Sequence, residues 1–129
     1  MSRSWAGYAT SAVSRTFWLS RALSWVQPVI DFAHLHAVSD GAFLEAEDFR
    51  AVLERVDAVL EPNDAFHIHF SDIAFANRNE TKHLSYGEGT LRAEPLAEAL
   101  RGFDRDATVI SESPDAMSHQ RIRDVLRAP

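Results

Sequence analysis

Apolar positions along the chain fall into two kinds of pattern. Three short runs read as strands, each with polar residues at or just past its C-terminal end: Pro28-Val29-Ile30-Asp31-Phe32-Ala33-His34, Ala65-Phe66-His67-Ile68-His69-Phe70 and Ala107-Thr108-Val109-Ile110-Ser111-Glu112. The second alternates strictly, with Phe66, Ile68 and Phe70 on one side and His67 and His69 on the other. Between the runs the spacing turns helical. From Asp48 to Glu61, Phe49, Val52, Leu53, Val56 and Leu60 form one stripe, and Glu61-Pro62-Asn63-Asp64 ends it. Pro95 suits the first turn of a helix whose stripe is Leu96, Leu100 and Phe103. Ser113-Pro114 opens a last helix that turns Ile122, Val125 and Leu126 inward. Ser39-Asp40-Gly41 is turn chemistry, and Ser71 to Gly89 reads as a long polar loop with Asp72, Glu80, His83 and Glu88.

The order is thus β-α-β-loop-α-β-α. Strands alternating with helices imply parallel pairing and right-handed crossovers, with polar clusters gathered beyond the strands' C-terminal ends.

Composition narrows the chemistry. The chain has 129 residues and no Cys, which excludes disulfides and thiolate metal sites, so any metal needs His, Asp and Glu. No apolar run reaches about 18 residues, so no membrane span is expected, and a cytoplasmic location is the expectation. The net charge of −6 argues against a strongly basic nucleic-acid surface. The charge is uneven. Residues 1–30 carry three Arg and no acid, all three Trp and six Ser, whereas residues 31–129 carry a balance of −9. The step marks a boundary near Gln27–Pro28. Residues 1–27 can be read as a targeting presequence, as a basic amphipathic helix, or as a segment foreign to the domain behind it; the last is preferred, leaving 28–129 as the fold.

Parallel strands bring their C-terminal ends together, so Asp31, His69 and Glu112 can converge. Two carboxylates and an imidazole suit Zn²⁺ or Mn²⁺. His34 flanks the first strand and His83 sits in the long loop. His67 is expected to be structural, and His36 and His119 to lie at the surface.

These residues resemble a known family. Ile30-Asp31-Phe32-Ala33-His34-Leu35-His36-Ala37, His69-Phe70-Ser71-Asp72, Lys82-His83 with Gly87-Glu88-Gly89, and Ile110-Ser111-Glu112-Ser113 are similar in order and spacing to the C-terminal part of endonuclease IV, a xylose isomerase-like TIM barrel. The single Lys and acidic bias also resemble a haloarchaeal composition. The resemblance implies a partial (β/α)8 barrel, its last three βα units, over residues 28–127. It implies that Asp31, His69 and Glu112 ligate one metal, with Asp31 and Glu112 carrying the chemistry. His34 and His83 would bind a neighbouring metal whose third ligand, an Asp in the family, is here replaced by Thr81. Gly87-Glu88-Gly89 would hold the loop.

The implied activity is metal-dependent hydrolysis of the phosphodiester at an abasic site in DNA. A second reading is a sugar isomerase or epimerase with one metal, which the loss at Thr81 favours. A third is an inactive fragment, because a full barrel needs about 250 residues and eight βα units. Open outer strands would then call for a complementary chain.

Overall fold

The structure is a computed structural model that describes residues 27–128. The readings of residues 1–27 as presequence, surface helix or foreign segment lie, except for Gln27, outside the described residues. Nine elements follow in order: β1 (Ile30–Asp31), α1 (Phe32–Val38), α2 (Ala46–Asp57), β2 (Phe66–Phe70), β3 (Asp72–Ala76), β4 (Asn79–Leu84), α3 (Ala93–Leu100), β5 (Ala107–Ser111) and α4 (Ala116–Arg127).

The first expected strand is cut short. Asp31 accepts the N–H of His34 at 3.0 Å through Oδ1 and so caps α1. A short acidic side chain at this position satisfies a backbone donor that the first turn leaves free. Phe32, Leu35 and His36 then share the buried side of a helix, and only Ile30 and Asp31 remain in the sheet.

The stripe read from Asp48 to Glu61 forms α2 over Ala46–Asp57. Asp48 Oδ2 accepts the N–H groups of Leu44 and Glu45 at 3.1 and 2.8 Å, so the helix opens two residues earlier than its apolar stripe suggests. Phe49 of α2 meets Phe32 and Phe43 in a tilted and edge-on aromatic cluster with centroids 4.9 to 5.7 Å apart. Such pairs add about 0.5–1.5 kcal/mol each beyond their buried area. Pro95 stands third in α3, and α4 is capped by Asp115 rather than Ser113. The Asp115 carboxylate accepts the hydroxyls of Ser85 and Ser118 and the N–H of Ser118, which hold its pKa below the ordinary value.

Three strands form a parallel sheet in the order β1-β2-β5. Phe66, Ile68 and Phe70 turn to the buried side with Ile30, among residues from α1, α2 and α3. The opposite side of the sheet carries Asp31, His67, His69, Thr108 and Ile110, all half-buried or exposed.

The segment read as a polar loop is an antiparallel hairpin. β3 pairs with β4, with a register shift between Ala74 and Phe75. Asn77 and Arg78 turn the chain with φ of 54° and 63°. Two consecutive residues in the left-handed region make the tight turn whose twist suits a hairpin.

The expected partial TIM barrel is corrected here. Two helices, not one, lie between β1 and β2, and an antiparallel hairpin interrupts the run from β2 to β5. A barrel needs repeated parallel βα units. The Asp31 cap shortens the first strand, and the Asn77-Arg78 turn makes the segment read as a polar loop pair with itself. The described residues form a small α/β fold with a three-stranded parallel and a two-stranded antiparallel sheet.

Candidate metal centre

Register gathers the site. Asp31 of β1 lies opposite His69 of β2, and His69 opposite Ile110 of β5. Glu112 follows Ile110 by two residues, and its N–H donates to the carbonyl of Phe70 at 3.1 Å, prolonging the ladder past β5. Side chains two apart on a strand share a side. Asp31, His69 and Glu112 therefore project from the same side at the C-terminal ends of three adjacent strands.

One ligand atom from each of these residues lies within 4.8 Å of the others, and all three side chains are half-buried. His69 Nδ1 stands 3.3 Å from Glu112 Oε2. Glu112 Oε1 is buried and has no hydrogen-bond partner among the described residues. A buried carboxylate oxygen without a donor is costly, about 1–3 kcal/mol or more. Asp31 commits Oδ1 to the α1 cap and has a second oxygen to offer. The donor set of two carboxylates and one imidazole fits Zn²⁺ or Mn²⁺, and the unsatisfied Oε1 is the feature a cation would relieve.

The other expected ligands go elsewhere. His34 is exposed, and its Nδ1 lies 2.7 Å from Glu80 Oε2 of β4. His83 Nδ1 is 2.6 Å from Ser71 Oγ. Among the described residues, no group of three metal-ligating side chains includes either of them. Glu80, next to Thr81, thus reaches from the hairpin to His34 of α1. His67 Nε2 is tied to the Gln27 side chain at 2.7 Å. His119 is exposed, with Nδ1 2.6 Å from Ser111 Oγ.

His36 does not lie at the surface. It is fully buried, with Nδ1 accepting the N–H of Phe43 at 3.2 Å and Nε2 2.8 Å from Thr90 Oγ1. Burial lowers its pKa to about 4, against a smaller opposing pull from the Asp72 charge. Asp72, read only as a polar loop residue, is also fully buried. Its carboxylate accepts the N–H groups of Gly87, Gly89 and Leu91 at 3.1, 2.7 and 3.2 Å and pairs with Arg92 at 3.3 Å. A Cβ at Gly89 would stand 2.5 Å from Asp72 Oδ1, so glycine is what lets the loop close on this carboxylate. The signal available in the sequence was the clustering of Gly87 and Gly89 behind an Asp.

Comparison with known proteins adds one relative. Over 91 residues the chain is 37% identical to an uncharacterized protein of Methanocaldococcus jannaschii, a match covering 69% of this chain and 33% of that protein. The chain spans about a third of the length of this relative. No protein-family profile matches the chain. No solved structure matches it either, so neither topology nor comparison supports a xylose isomerase-like barrel. No helix among the described residues is long and apolar enough to cross a membrane.

Proposed function

We propose that Asp31, His69 and Glu112 hold a divalent cation, Zn²⁺ or Mn²⁺, and that the chain belongs to a metal-dependent phosphodiester hydrolase acting on DNA at abasic sites, as endonuclease IV does. The observation that carries this reading is the gathering of one ligand atom from each of these residues within 4.8 Å of the others, together with a buried oxygen of Glu112 that has no partner among the described residues. The motif order of the sequence supports the phosphodiester substrate. A cation held there would lower the pKa of a water and offset negative charge on a phosphate. The chain's own residues set the geometry. Asp31 is fixed by its helix cap, and His69 by its place between two ladders. Glu112 is fixed by its bond to the Phe70 carbonyl.

Titration calorimetry with Zn²⁺ and with Mn²⁺ tests the site. One ion per chain is expected, with affinity falling at least about tenfold in Glu112→Gln. Nicking of an abasic-site duplex in the presence of the bound ion tests the activity. Absence of stoichiometric binding by either metal overturns the reading.

A second reading, a sugar isomerase or epimerase, draws on a specific observation. His34 is engaged by Glu80 and His83 by Ser71, leaving one gathered centre rather than two among the described residues. One cation suffices to polarise a hydroxy-ketone. Aldose–ketose interconversion without nicking would favour it.

A further inference from the structure

β5 is an outer strand of the sheet, paired among the described residues only with β2. Exposed edges are commonly protected by shortness, charge, proline or a bulge. The opposite edge, β1, is protected by being two residues long. β5 has five residues, Ala-Thr-Val-Ile-Ser, with no charge and no proline. Its outer backbone groups are therefore a ready template for another strand.

Beside that edge lies a groove of about 900 Å³ between β5 and α4. Its floor is apolar: Val109 from β5, Ile122 and Leu126 from α4, and Leu100. Its rim is cationic. Arg123 and Arg127 project from α4, both exposed and neither in an ion pair among the described residues. Asp106 is the one acidic residue lining the groove. On a chain of net charge −6, this concentration of unpaired guanidinium groups runs against the background. Apolar floor, cationic rim and free backbone edge meet in one place.

We propose that this groove receives an extended, acidic segment of a partner polypeptide, which adds to β5 as a further strand. Backbone pairing along Ala107–Ser111 supplies the register. Alternate apolar side chains of the segment cover Val109 and Leu126, and its carboxylates meet Arg123 and Arg127. The proposal is independent of the metal centre, whose side chains lie on the other side of the sheet.

The test uses the full chain and a synthetic hexapeptide of alternating valine and glutamate, with a valine–lysine hexapeptide as control. Amide chemical shifts and titration calorimetry are the readouts. The acidic peptide is expected to bind, to move the amides of Ala107 to Ser111, and to weaken at high salt. The Arg123→Glu, Arg127→Glu double variant, altered only at exposed helix positions, is expected to keep its circular dichroism and lose at least about tenfold in affinity. No binding of the acidic peptide, equal binding of the lysine peptide, or shifts confined to other elements would overturn the proposal. So would a dimer in sedimentation that buries β5 and excludes the peptide, since a second copy would then be the occupant.

Discussion

His36 and Asp72 show how single side chains hold this molecule together from inside. His36 is buried and neutral, with its pKa lowered from 6.5 to about 4. As pH falls, the unfolded chain takes up this proton before the folded one does. Stability from this group is therefore complete above about 6.5 and is lost as pH falls towards 4, a total of about 3 kcal/mol. Urea unfolding at a series of pH values should show that slope in the wild type and a shallower one in His36→Gln. Asp72→Ala leaves the N–H groups of Gly87, Gly89 and Leu91 without their acceptor and Arg92 without its partner. A loss of about 3 kcal/mol or more is expected in denaturant melts. Neither role was readable beforehand. A histidine in an Ala-His-Leu-His-Ala stretch and an aspartate in a polar stretch carry no mark of burial. Burial followed from packing, His36 against Phe75 edge-on at 5.5 Å and Asp72 beneath its own loop.

Elements with one dominant periodicity were the legible ones. The α2 stripe and the alternation of β2 leave a single way to bury their apolar side chains. Ile30 to His34 was ambiguous, because a short apolar run fits a strand or a helix and the Asp31 cap decides between them. The hairpin was hidden because its second strand is polar: β4 is exposed along nearly its whole length, so burial writes no alternation into it. Its turn shows the local cost. Arg78 sits at φ 63°, a conformation that glycine adopts more readily. Arg78→Val, β-branched in that conformation, should therefore lower stability, as read by thermal melts of otherwise identical chains.

At the scale of the whole molecule, the candidate centre joins three strands that are far apart in sequence. A cation bound there and not in the unfolded chain stabilises the entire parallel sheet. At a free concentration about a hundredfold above Kd the gain is about 2.7 kcal/mol. Calorimetric melts should show the transition rise with Zn²⁺ or Mn²⁺, fall back with chelator, and respond little in His69→Ala. A chain that melts identically with and without either metal would contradict the proposed centre.

Residue types and spacing alone singled out side chains that could ligate a cation and placed them near strand ends, because strand alternation and polar termini are local properties. They also placed α2, β2 and β5 closely. Only the tertiary structure decided that β1 stops after two residues, that the polar segment pairs with itself, and that the parallel strands make an open sheet rather than a stretch of barrel wall. Those outcomes depend on a helix cap and a left-handed turn. Each competes locally with strand extension, and each gains its advantage from the packing around it.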